Sequence, residues 1–185
     1  MNSQDKNYYK KNYPLLTQFE LYEDSEDDNY NCISYSVGLT DRGFWPIKGR
    51  DDCWYGINEV TINSFDIFYE YYGFKRCDYL DILYDKNYIK VAIFTKENIP
   101  THASIQIDDN WWESKIGQLG IIKHDIFEIE GDIYGKLSHI YKKKININEL
   151  LNFTEFITRN PSIVHTIQTK HHQQILDYQF RQLSE

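Results

Sequence analysis

The sequence predicts an α+β domain in which N-terminal helices pack on an antiparallel sheet, followed by a C-terminal helical tail. Three observations predict it. Apolar residues recur at three- and four-residue spacing ahead of Gly73; that is the period of an amphipathic helix. From Tyr88 to Tyr141 the pattern changes to alternation and β-rich runs broken by turn residues. From Asn146 the helical period returns. The 185 residues thus divide into an acidic N-terminal arm (1–29), an α+β domain (30–142) and a C-terminal helical extension (143–185). This length is enough for one domain of ordinary size to bury a core.

The elements follow in chain order. Residues 1–31 are polar and tyrosine-rich and end in the acidic run Glu20 to Asn29. Such a run reads as a solvated arm, with Leu15, Leu16, Phe19 and Leu21 available to tie part of it down. Asn31 is a good N-cap and Gly38 a good C′ residue, which predicts a short helix over 32–37. Leu39 to Gly56 is a long loop. In it, Phe44 and Trp45 are expected to pin the chain to the core while Asp41 and Arg42 pair locally. Ile62, Phe65, Phe68, Tyr69 and Tyr72 predict a helix over 61–72, stopped by Gly73. Phe74 to Cys77 forms a short strand.

Tyr88 to Thr95 reads as an apolar strand, and Glu97 to Pro100 as a connection. Thr101 to Ile107 alternates, with Ala103, Ile105 and Ile107 on one face and His102, Ser104 and Gln106 on the other. Asp108, Asp109 and Asn110 turn the chain into a strand over Trp111 to Ile116. A three-residue loop there sets Ile107 opposite Trp111 and Ser104 opposite Ser114. Residues 117–132 follow no single pattern. Ile133 to Tyr141 is a further strand, and helices are expected over Asn148 to Thr158 and over Ser162 to Leu183.

Composition removes several functions. A formal net charge of −8 argues against a phosphate-backbone partner, and Lys142, Lys143 and Lys144 are too few to reverse that. The charge is compatible with a basic protein partner. Cys32, Cys53 and Cys77 form an odd set without a C-x-x-C pair, so no zinc ribbon is expected and reduced thiols in a cytosol fit best. The opening MNSQDKNYYKKNY lacks the apolar core of a signal peptide. No run approaches the roughly 18 apolar residues of a membrane span. The expected location is therefore cytoplasmic, with export by a route without a cleavable signal left open. The acidic run lacks the glycine and spacing of a calcium loop. Adjacent His171 and His172 point about 100° apart on a helix, and with His165 they read as solvated surface. No metal or cofactor is expected, and the oligomeric state is left open.

One constellation carries chemistry. Cys32 falls at the first turn of its helix, where unpaired amides favour negative charge. The expectation is a lowered thiol pKa and a nucleophile; the alternative is that Cys32 is buried packing. His102 opens an alternating strand on its polar face and is positioned to serve as general base and then general acid. Ser114 is its diagonal neighbour across the hairpin and the first candidate to orient the imidazole. Gln106 shares the face two pleats away, and Lys115 points to the other face. The placement of His124 and Asp125 stays open.

Asn31-Cys32-x-x-Tyr35-Ser36-x-Gly38 followed by Asp41-Arg42-x-Phe44-Trp45-Pro46 resembles an uncharacterised family of mostly bacterial domains. The resemblance continues through Thr101-His102-Ala103-Ser104, Trp112-x-Ser114-Lys115-x-Gly117, His124 and Tyr134-Gly135. A cysteine opening a helix and a histidine opening a strand also resemble the papain-like cysteine hydrolases, nearest in style to the cell-wall amidases and endopeptidases. That resemblance implies a papain-like fold and a cysteine amidase, peptidase or deamidase acting on a peptide or protein. No glutamine stands a few residues before Cys32, so the oxyanion role falls to the Cys32 amide with Asn31 or Tyr35. A second reading, carried by charge and the acidic arm, is a non-enzymatic interaction protein: an antagonist of a basic partner, or a scaffold that has lost its chemistry.

Overall fold

The computed structural model describes residues 3–22, 25–47, 58–117 and 119–145. Cys53, the two expected tail helices and the tail histidines lie outside the described residues. The described elements are α1 (Ser3–Asn12), β1 (Phe19–Leu21), α2 (Cys32–Ser36), α3 (Ile62–Tyr71), β2 (Lys75–Cys77), β3 (Tyr88–Lys96), β4 (Ile99–Gln106), β5 (Trp112–Lys115), β6 (Ile121–His124) and β7 (Lys136–Lys144). The strands form one antiparallel sheet in the order β1-β6-β5-β4-β3-β7-β2, with β3 to β6 as its central meander. The chain divides into two compact units. Among the described residues, one holds 3–85 and 89–143; the other holds Lys86–Tyr88 with Lys144 and Ile145, where the Ile145 amide donates to the Asn87 carbonyl (2.8 Å).

Local chemistry sets the helix limits. Asn31 Oδ1 accepts the Ile33 and Ser34 amides, both at 3.1 Å, and starts α2; Gly38 follows it at φ +83°, the left-handed conformation that ends a helix without a Cβ clash. Thr61 caps α3 through the Ser64 amide (3.2 Å), and Gly73 at φ +82° ends it.

Alternation divides the sheet between two cores. Val91, Ile93, Ala103 and Tyr141 face α2 and α3, packing with Cys32, Ile33, Phe65, Phe68 and Tyr69. Ala92, Phe94, Trp112, Ile122 and Ile140 face the other way, against Tyr9, Tyr13 and Leu16. Phe44 meets Phe68 at 5.5 Å and Trp45 meets Phe65 edge-on at 5.9 Å, anchoring the start of the long loop, while Arg42 pairs with Asp41 at 2.8 Å in solvent.

Several expectations are corrected. The N-terminal segment is tied down more fully than a solvated arm: Leu16, Phe19 and Leu21 pack on the core as allowed for while Leu15 stays exposed, Tyr9 and Tyr13, one turn apart, bury their rings, and β1 pairs with β6 through Phe19↔His124, Glu20↔Lys123 and Leu21↔Ile122. Part of the acidic run is also tied down, since Ser25 Oγ accepts the Ile121 amide and donates to the Tyr22 carbonyl. The connection before β4 is shorter than expected. Glu97 and Asn98 make the turn at φ +54° and +65°, so Ile99 and Pro100 belong to β4, where a register shift between Phe94 and Thr95 accommodates the proline. The last strand starts at Lys136, because residues 132–134 form a turn closed by Gly131 and Gly135. Gly135, at φ +77°, lies so close to β3 that a Cβ would stand 2.0 Å from the Thr95 carbonyl oxygen.

Candidate functional site

The hairpin register places Ile105 opposite Glu113 and Gln106 opposite Trp112, which continues to Ser104 opposite Ser114. His102, Ser104 and Ser114 therefore share a face, and all three are fully buried. β6 adds a fourth residue: Trp112↔His124 and Ser114↔Ile122 bring His124 onto that face. Ser114 Oγ stands at the centre, 2.9 Å from His102 Nε2, 2.6 Å from Ser104 Oγ and 2.7 Å from His124 Nε2. His124 Nδ1 lies 2.6 Å from the Asp125 carbonyl oxygen. Tyr134 stacks on the His102 ring at 3.8 Å and 13°, and the Thr101 hydroxyl holds the Tyr134 carbonyl at 2.5 Å. Among the described residues, His102 Nδ1 is buried and has no hydrogen-bond partner.

Cys32 approaches β4 from the α2 side. The Ile107 amide donates to Trp111, so the odd-numbered residues of this strand direct their amides towards β5. At Ala103, beyond the Ile105↔Glu113 and Gln106↔Trp112 pairs, that amide interacts with the Cys32 sulfur. The Cys32 and Ile33 amides also interact with the sulfur. The thiol thus sits where β4 and β5 stop pairing, and the His102–Ser114 bond crosses between the same two strands. Cys32 and His102 come from opposite faces of the sheet, Cys32 packing with Ala103 on the α2 side and His102 lying against Phe94 and Tyr134 on the other, and no hydrogen bond joins them.

Burial dominates the electrostatics. It pushes the Cys32 thiol up to about 11, against the three amides and the Lys115 charge that pull it down. The expected lowering by the helix start is therefore reversed: desolvation of a thiolate outweighs a few partial charges. Burial holds His102 well below its ordinary range, with the neighbouring His124 adding to the effect. It takes His124 down to about 4, despite the Asp125 carbonyl that favours its charged form. Around neutral pH all three groups are uncharged.

The other expected site residues have different employment. Asn31 caps α2 and donates from Nδ2 to the Phe44 carbonyl (2.7 Å), so its side chain joins helix to loop. The Tyr35 hydroxyl donates to Glu113 Oε2 at 2.6 Å. The amides that act on the sulfur are that of Cys32, as expected, and those of Ile33 and Ala103. Gln106 donates to the Ile82 carbonyl (2.7 Å) and is not joined to His102. Lys115 binds the Gly117 carbonyl (2.9 Å) and the Leu119 carbonyl, with its ammonium 5.1 Å from the Tyr30 ring centre. Among the described residues, no three His, Cys, Asp or Glu side chains gather as a metal site requires, and no helix is long and apolar enough to cross a membrane.

The model of a domain of unknown function, DUF7689, matches residues 21–142. The chain belongs to this family. Its matched span holds the four residues of the buried network together with Cys32, Tyr134 and Gly135. No curated protein and no solved structure matches the chain.

Proposed function

We propose that this DUF7689 chain is a cysteine hydrolase of papain-like type, acting on an amide of a peptide or protein, with Cys32 as nucleophile and His102 as general base and acid. The observation that carries the reading is the state of His102. Its Nε2 is anchored on Ser114 at 2.9 Å, its Nδ1 is buried without a partner among the described residues, and the amide of the next residue favours the thiolate of Cys32. A buried ring nitrogen without a partner is costly to leave so; a role in receiving a proton accounts for it.

Because thiol and imidazole are both neutral at rest, the proton moves as the sulfur attacks. The reading requires the thiol and His102 Nδ1, which start on opposite faces of the sheet, to meet at the gap where β4 and β5 stop pairing; Cys32 then passes its proton to His102 Nδ1 while Sγ bonds the amide carbon and the carbonyl π pair moves to oxygen. The amides of Cys32, Ile33 and Ala103, which act on the sulfur, would be the donors for that developing charge. Collapse breaks the C–N bond, and His102 returns the proton to the leaving amine. Water, deprotonated by His102, then cleaves the thioester and restores the thiol.

A second reading has its own observation. Cys32 is only 7% exposed and its thiol is pushed up to about 11, the condition of inert core cysteines. In that case the domain is a binding scaffold. Iodoacetamide labelling of the native protein, read by peptide mass spectrometry across pH, separates the two. Labelling through free thiolate alone climbs tenfold per pH unit. Base-assisted labelling is flat from about pH 7 to 9. The hydrolase reading expects a flat profile for Cys32 that turns steep in His102→Ala. Identical profiles, or a Cys32 silent until unfolding, would overturn it in favour of the scaffold.

A further inference from the structure

Catalysis by His102 requires one tautomer: a hydrogen on Nε2 and a lone pair on Nδ1. We propose that His124 is a positioning residue that imposes this tautomer through Ser114. The inference rests on the hydrolase reading for its purpose, and on hydrogen-bond geometry for its content.

The proton order follows from one fixed end. A carbonyl oxygen only accepts, so His124 Nδ1, at 2.6 Å from the Asp125 carbonyl, carries the hydrogen. A neutral imidazole has one hydrogen, so His124 Nε2 is an acceptor. Its partner at 2.7 Å, Ser114 Oγ, must therefore donate to it. A hydroxyl has a single hydrogen, and Ser114 has now used it. Towards His102 Nε2 at 2.9 Å and Ser104 Oγ at 2.6 Å it can only accept. His102 Nε2 thus carries the hydrogen, and Nδ1 keeps the lone pair. Every hydrogen in the chain from Asp125 to His102 is assigned, and the one lone pair left over is the one the mechanism needs. The buried setting maintains the order, since charging either imidazole in so dry a place is unfavourable. Tyr134, stacked at 3.8 Å, keeps the ring from turning over.

Without an acceptor at His124 the Ser114 hydrogen is released. It can then turn to His102 Nε2, which drives the His102 hydrogen onto Nδ1 and removes the base. A glutamine at that place restores a carbonyl acceptor.

Long-range proton–nitrogen correlation of the full chain labelled with [15N]histidine reads the tautomers directly, with His102 and His124 assigned by substitution. In the wild type, His102 is expected as Nε2–H and His124 as Nδ1–H. In His124→Leu, His102 is expected to move to Nδ1–H, with at least a tenfold fall in Cys32 labelling at neutral pH; His124→Gln is expected to restore both. A wild-type His102 found as Nδ1–H would overturn the inference without any variant, so a His124→Leu chain that fails to fold leaves it testable. An unmoved His102 tautomer in folded His124→Leu would overturn it as well. If the tautomers respond as stated while Cys32 labelling ignores His102→Ala, the relay stands and the hydrolase reading falls.

Discussion

Ser114→Ala tests the network where it is most concentrated. Ser114 Oγ donates to His124 Nε2 and accepts from His102 Nε2 and Ser104 Oγ, at 2.7, 2.9 and 2.6 Å. Its removal leaves one acceptor and two donors without partners in a site with no solvent exposure. The Ser104 hydroxyl can rotate to another partner, but the two ring nitrogens cannot follow. A buried polar group left unpaired costs about 1–3 kcal/mol, so two of them cost about 2–6 kcal/mol. Ser104→Ala removes one donor and leaves Ser114 bonded to both histidines, which should cost about 1 kcal/mol. Urea unfolding followed by tryptophan fluorescence gives both values, provided the slopes match. Losses equal to within about 0.5 kcal/mol would refute the assignment of Ser114 as the hub, since that is the ordinary scatter between independent sites.

Three other substitutions probe the frame around the site. Gly135→Ala places a Cβ 2.0 Å from the Thr95 oxygen in a left-handed backbone. Strain alone should lower stability by about 1–3 kcal/mol, visible as a lower melting temperature, whereas an unchanged melt would contradict the close approach. Asn31→Ala removes the α2 cap and the tie to Phe44, with an expected loss of about 1–2 kcal/mol by urea titration. Glu113 sits between the Tyr22 and Tyr35 hydroxyls at 2.5 and 2.6 Å, and burial raises its carboxyl from 4.5 to about 7. A raised folded pKa gives stability that is full below 4.5 and is lost as pH rises through about 7, by about 3 kcal/mol in all. Glu113→Gln, which cannot ionise, should therefore gain about 2–3 kcal/mol on the wild type between pH 5 and pH 8. A difference independent of pH would show that the carboxyl does not titrate in that window.

The sequence carried the hairpin that builds this site but not its fourth member. Three turn residues, Asp108 to Asn110, were enough to count back to Ser104 opposite Ser114, and side-chain alternation then fixed which face His102 occupies. His124 escaped because β6 is only four residues long and follows a stretch without a period. A signal was present: Gly117, at φ +52°, and Gly120 bracket a tight turn, and counting outward from it brings His124 onto the Ser114 face. The N-terminal segment was misread for a different reason. Its buried contacts are largely tyrosines, which count as polar in a chain with mean hydropathy −0.63 yet bury a large apolar ring. The thiol was misread in sign because a helix start is visible in sequence while the desolvation opposing it is a property of the packed fold.

Burial acts on Cys32 and His102 with opposite sign and the same result. It raises the thiol and depresses the imidazole, so on the hydrolase reading the pair would rest with one proton on sulfur and none on Nδ1. A preformed thiolate–imidazolium pair would need its Coulomb attraction to exceed two desolvation penalties, and in a dry site that condition is severe. The neutral pair avoids both, and the requirement moves from charge to orientation: the lone pair must already be on the nitrogen that faces no other partner. A chain of hydrogen bonds reaching from a backbone carbonyl through His124 and Ser114 meets that requirement without placing any charge in the core. The same chain explains why two histidines and two serines are buried together on one face of the sheet. Each satisfies its neighbour, and among the described residues the one atom of these four side chains left without a partner is on His102, next to the residue whose amide favours the Cys32 thiolate.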